Sequence, residues 1–310
     1  MMTISHKAKQ FLVFLAKLLI VGGALYFIYN QLVHNDKLDW KQFLLLLERK
    51  KSFFGIIFIL LLSFLNRFLE ILKWQNLAHK LQPISLAKAT EQVLAALTAG
   101  LFTPNGIGEY AGKALYYPKT ATREVVFLNL ICNGIQMILS ILFGILGLVI
   151  LGYWLEVSVL ASLVFGLGIL FFLLKKITIK GYSLQQFFEK INALPKKMHQ
   201  KNAVLAVLRY LTFSHQYYFL FLAFEVDVPY LTLMATIAAV YFLASSLPTF
   251  QFLDFAVKGG VSVYFFGILG INEWIIVFIS MLMWFLNIVL PVLMGSVYVF
   301  RYKPQLYKTV

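Results

Sequence analysis

Long apolar runs separated by short polar segments set the pattern of this chain. A helix that crosses a bilayer needs about 20 mostly apolar residues. Residues 11–33, 52–74, 125–151, 155–174, 203–224 and 274–300 each satisfy that length. Residues 34–51 are polar and amphipathic, with Trp40 suited to the headgroup level, and predict an interfacial helix. Residues 86–117 and 231–267 are also apolar, but each is broken in the middle. The first break is Thr103, Pro104, Asn105, Gly106, Ile107, Gly108; the second is Leu247, Pro248, Thr249, Phe250, Gln251. Proline removes a backbone donor and disfavours helix at the preceding residue, and glycine frees the backbone to turn. The first break therefore leaves two helical pieces, each too short to span comfortably.

Composition agrees with a membrane chain. Of 310 residues, 61% are hydrophobic and 13% charged, and the mean hydropathy is +0.82; soluble domains run near half apolar and a quarter charged. The expected class is an all-α polytopic membrane protein forming a single integral membrane domain over residues 1–310. The net charge of +14 lies in short segments between apolar runs, which points to orientation and anionic headgroups and away from nucleic acid. Segments 73–88, 119–123, 175–201 and 301–308 are basic, whereas 152–157, 225–229 and 267–273 carry no Lys or Arg. The positive-inside rule then puts the first set, and both termini, in the cytoplasm of a multi-pass protein of the cell membrane. Segment 34–51 departs from the rule, being external yet basic. Both flanks of the first broken stretch are cytoplasmic and both flanks of the second are external. The expectation is six full spans plus two re-entrant helical hairpins, or eight spans if each hairpin crosses fully.

The two broken stretches also resemble each other. Pro83, Ala89 and Thr90 are echoed by Pro229, Ala235 and Thr236. Beyond each break an acid precedes a lysine by four residues, as Glu109 and Lys113 and as Asp254 and Lys258. Each half reads span, hairpin, span, entered from opposite sides. That order predicts two inverted repeats over 52–151 and 203–300, after a first span and interfacial helix in 1–51, with a cytoplasmic basic loop at 175–202. In transporters such repeats place the site near the midplane, between broken helices.

Arg67 through Trp74, followed by Pro104, Asn105, Gly106, Ile107, Gly108 and Glu109, resemble a known pair of motifs. They are similar to the arginine–tryptophan helix and the Pro-x-Gly-x-Gly-Glu signature of the flippase-like membrane domain of lysylphosphatidylglycerol synthases. The resemblance covers nearly the whole chain. It implies a stand-alone lipid-translocating half without the soluble synthase domain. The substrate it implies is an anionic or aminoacylated lipid, or a lipid-linked precursor.

Ionisable side chains inside a bilayer cost about 2.5–3.5 kcal/mol each on insertion scales, so they face protein or water. Glu109 and Lys113 share a helical face, as do Asp254 and Lys258. Two readings stay open: self-neutralising pairs that let a hairpin enter the membrane, or lysines that bind a lipid phosphate. Free amides at the helix start after Gly106 would favour an anion, and glycine would admit a headgroup. Arg67 offers either a phosphate fork or a structural pair with Glu70. The candidate headgroup-binding set is Arg67, Pro104, Asn105, Gly106, Gly108, Glu109, Lys113, Asp254 and Lys258. Asn129, Asn133, Gln136 and Ser140 recur at helical spacing, so one polar stripe faces inward. His215 reads as a bond between helices. Cys132 is the one cysteine and the five His are scattered, so no metal cluster or cofactor is expected. No Walker loop, His-Glu-x-x-His run or Gly-x-Ser-x-Gly elbow occurs. The expectation is a flippase-like translocase and not an enzyme, with membrane lipids, and a separate lipid-modifying enzyme, as partners. The alternatives are a membrane-embedded enzyme acting on a lipid phosphate and a non-transporting partner of a lipid synthase.

Overall fold

The computed structural model describes Leu15 and residues 53–104, 106–178, 183–247 and 253–303. The expected first span (11–33), the interfacial helix (34–51), Asn105 and the second break at 248–252 lie outside the described residues. So do residues 304–310 of the basic tail.

All regular structure among the described residues is helical. Helix α1 is Phe53–Ala78, α2 Leu86–Gly100, α3 Ile107–Ala114 and α4 Thr122–Ile150. Then come α5 Trp154–Leu174, α6 Leu184–Asn192 and α7 Lys196–Ala223. The last are α8 Tyr230–Ser246, α9 Asp254–Ile268, α10 Glu273–Trp284 and α11 Leu290–Arg301. The boundaries follow local chemistry. Ser85 caps α2 by accepting from the Lys88 amide, and Asn272 caps α10 by accepting from the Trp274 amide. Pro195 and Pro229 precede α7 and α8. Within 175–202, expected as a loop, Ser183 and Gln186 form a reciprocal capping box that starts α6. Helix α7 then begins at Lys196, so Asn202 is helical and buried.

Four helices are long and apolar enough to cross a membrane: Phe53–Ala78, Lys119–Ile150, Trp154–Leu174 and Glu273–Arg301. They match four of the five spans expected in the described part. Helix α7, the fifth, is 28 residues long, but Arg209, His215 and Gln216 interrupt its apolar run. Helix α5 has no buried residue although it is apolar all round, an arrangement stable in lipid and not in water.

Each broken stretch folds into two helices packed on one another, α2 on α3 and α8 on α9. Neither α2 nor α3 is long enough to cross a hydrocarbon core of about 30 Å. The ends of the first hairpin return to one face: the Lys88 ammonium lies 4.9 Å from the Tyr116 ring. That face gathers the basic segments. Lys190 pairs with Glu124, Asn76 donates to the Met198 carbonyl, and Tyr302 donates to the Leu115 carbonyl.

The packing between halves is reciprocal. Helix α1 packs on α7, α2 on α11, and α8 on α4. Both crossed pairs rely on glycine for close approach. A Cβ on Gly147 of α4 would strike the Ala235 carbonyl oxygen of α8, and a Cβ on Gly295 of α11 would strike the Leu94 carbonyl oxygen of α2. Backbone atoms cannot step aside, so Gly147→Val and Gly295→Val are each expected to lose at least about 1–3 kcal/mol of stability. Heating in detergent measures this. Gly134→Val, where a Cβ meets nothing within 4 Å, is the control expected to match wild type.

Candidate functional site

The middle of the molecule holds a chain of buried polar groups joining α1, α7 and the last span. The Glu70 Oε2 accepts from Arg67 Nη1 at 2.7 Å and from Arg209 Nη2 at 2.9 Å. Arg209 also donates from Nε to Asn66 Oδ1 at 3.0 Å. Asn66 donates to Asn287 Oδ1, and Asn287 donates to Gln216 Oε1. At about 1.5 Å per residue, Arg67, Arg209 and Asn287 lie roughly 16–21 Å from either end of their helical runs. The network therefore lies about midway along those helical runs.

Its geometry depends on Pro291. A proline inside a helix brings no amide hydrogen and clashes with the carbonyl four residues earlier. Here the chain widens into a π turn at Phe285–Val289, a form of helix defect frequent at functional sites. The Leu290 amide reaches back to the Phe285 carbonyl. The Leu286 carbonyl accepts from Ser63 Oγ at 2.8 Å, and the Asn287 carbonyl from Arg67 Nη2 at 2.5 Å. Arg67 is thus oriented by a backbone carbonyl that Pro291 cannot bond.

A second cationic group lies beside the first. Lys113 is fully buried, donates to Asn129 Oδ1 at 2.6 Å, and sits 4.6 Å above the Trp74 ring. Trp74 is held by its indole bond to Gln92, which also accepts from Tyr117. Lys73 is fully buried too, 3.4 Å from Gln136 Oε1. The charges of Arg209, Arg67, Lys113 and Lys73 all act on Glu70, and that of Glu109 acts on Arg67. The cluster holds four cations and two carboxylates. Two buried donors in it, Arg67 Nε and Asn129 Nδ2, have no hydrogen-bond partner.

The expected site residues divide in this frame. Arg67, Glu109 and Lys113 enter the cluster. The ammonium of Lys113 bonds the Asn129 side chain, a partner outside the expected Glu109–Lys113 pair. Lys258 does pair with Asp254, at 2.6 Å and partly exposed, with its ammonium 5.4 Å from the Tyr241 ring. At the first hairpin tip, Gly106 has φ 67° and caps α3, a conformation that favours glycine. The first amides of α3 are already engaged. Ile107 donates to the Pro104 carbonyl, Gly108 to Thr103 Oγ1 and Glu109 to the Gly106 carbonyl. Gly108 lies against Ala99 and Gly100, where a Cβ would be 2.8 Å from the Ala99 carbonyl oxygen. Its role is close packing inside the hairpin. Among its described residues the tip offers no row of free amides to an anion; the charge is gathered elsewhere.

No family model, curated protein or solved structure matches this chain. The site is accordingly read from its own groups. The polar stripe of α4 faces inward as expected: Asn129 meets Lys113, Asn133 lies 3.5 Å from the Tyr110 hydroxyl, and Gln136 reaches Lys73. His215 bonds the Tyr230 hydroxyl at 3.0 Å across two helices. Arg209 and Asn287 are absent from the sequence-derived set. An arginine inside the apolar run 203–224, and an asparagine four residues before Pro291, are the signals that mark them.

The tip of the first hairpin packs near the start of α9 beside this cluster. Leu97, Leu101 and Phe102 pack with Phe255 of α9 around Trp284 and Val289.

Proposed function

We propose that this protein moves an anionic lipid, or a lipid-linked precursor, across the membrane, with the Arg67–Glu70–Arg209 network and Lys73, Glu109 and Lys113 forming its headgroup site. One observation carries this reading: cations outnumber carboxylates in a buried cluster about midway along the helical runs. Uncompensated charge is costly there, and a bound anion relieves it. The reciprocal packing of the two halves, and of the first hairpin's tip on the start of α9, support an inverted-repeat transporter with re-entrant hairpins. The likeness of residues 67–74 and 104–109 to the flippase-like domain of lysylphosphatidylglycerol synthases agrees with it. In this reading the basic face is cytoplasmic and the protein sits in the cell membrane.

The test is transbilayer movement of a fluorescent anionic lipid in reconstituted vesicles. Wild type is expected to accelerate it. Arg209→Gln, which leaves Glu70 its bond to Arg67, is expected to slow it at least about tenfold, the weight of one charge-assisted bond. Movement no faster than in protein-free vesicles overturns the reading.

A further inference from the structure

We infer that the buried cluster selects a doubly charged phosphate, a phosphomonoester or pyrophosphate, over a singly charged phosphodiester; the inference rests on the translocation reading above. The charge count is the first observation. The charges of Arg67, Lys73, Lys113 and Arg209 act on Glu70, and that of Glu109 acts on Arg67, so four cations stand against two carboxylates and two positive charges are unmatched among the described residues. In a medium of low dielectric, the ligand that cancels the excess is held most tightly. A phosphodiester cancels one charge. A terminal phosphate or a pyrophosphate cancels two.

The unpartnered donors are the second, independent observation. Arg67 Nε and Asn129 Nδ2 are buried with no acceptor, and Asn129 itself is fully buried. Buried donors are nearly always satisfied, and an unsatisfied one costs about as much as a lost bond. These two belong to the residues that hold the two halves of the cluster: Arg67 binds Glu70, and Asn129 binds Lys113. A terminal phosphate presents three oxygens without an ester substituent, against two on a diester. It therefore offers one more free oxygen to buried donors such as these than a diester does.

The chemistry is shared by a lipid phosphomonoester and a free phosphate, and the experiment separates them. Purified protein is titrated at neutral pH with phosphatidic acid, phosphatidylglycerol, inorganic phosphate and inorganic pyrophosphate, and binding is read by thermal shift and native mass spectrometry. Phosphatidic acid is expected to bind about tenfold tighter than phosphatidylglycerol. Lys73→Met should erase most of that preference. Its bond to Gln136 is long, and its loss lowers the charge excess, so this variant is expected to fold. Equal binding of the two lipids by wild type overturns the inference and leaves translocation standing. Binding of neither lipid overturns both. Pyrophosphate or phosphate binding as tightly as phosphatidic acid supports the charge class and overturns the lipid as its source.

Discussion

Glu70→Gln is expected to destabilise the protein by about 3–5 kcal/mol, the cost of breaking a buried ion pair from one side. Two guanidinium groups converge on one carboxylate oxygen, Arg67 at 2.7 Å and Arg209 at 2.9 Å. Amidation keeps the volume and removes the charge, so the charge excess of the cluster rises from two to three. The Gln amide nitrogen would also bring a donor toward two donors. Fraction folded after heating in detergent measures the loss. Two controls fix the cause. Glu70→Leu combined with Arg67→Met and Arg209→Met removes the trio and is expected to recover most of the stability, since well-packed apolar replacements of buried ions are often neutral. Added pyrophosphate is expected to protect Glu70→Gln more than wild type. A single variant that heats like wild type would show that Glu70 does not hold these arginines together.

The helices and their order are legible because apolar run length and proline or glycine breaks are local signals. The segments 52–74, 125–151, 155–174 and 274–300 sit close to the observed helices. The one-sided basic face is legible for the same reason, since lysines and arginines between runs report on orientation. The site is legible only in part. Arg67, Glu109 and Lys113 stand out as charges in apolar sequence, but their partners come from distant elements. Asn129 lies 16 positions from Lys113, and Asn287 lies 220 from Arg67. Spacing of four suggests Glu109 as the partner of Lys113, but it does not reveal that the lysine bonds the Asn129 side chain of α4 and lies over the Trp74 ring. The glycines of the tip suggest room for a headgroup. Gly108 instead answers a steric demand of α2, which no local pattern in 104–109 could reveal. Arg209 hides inside the most polar of the expected spans, where one more charge stands out least.

Lys113→Met together with Asn129→Leu is expected to leave the protein folded and to slow translocation of anionic lipid about tenfold to a hundredfold, the weight of a desolvated charge-assisted bond of about 1.5–3 kcal/mol. The expectation of a stable fold follows from charge. Removing one cation lowers the excess from two to one, the reverse of Glu70→Gln. Both replacements are apolar and close in volume to the originals, and they remove the two partners of one bond together, so no buried group is stranded by the loss. The new methionine side chain would still lie on Trp74, whose bond to Gln92 is untouched. The expectation of lost activity follows from placement: Lys113 is held rigidly over that ring and acts on Glu70 from a helix other than α1 or α7, closing the cluster on the side of the first hairpin. Lys113→Met alone leaves the Asn129 carbonyl without its donor and is expected to be less stable than the double variant. The measurements are thermal stability in detergent and lipid movement in reconstituted vesicles. A stable double variant that moves lipid at the wild-type rate would make the Lys113–Asn129 bond a strut of the fold and take Lys113 out of the headgroup site.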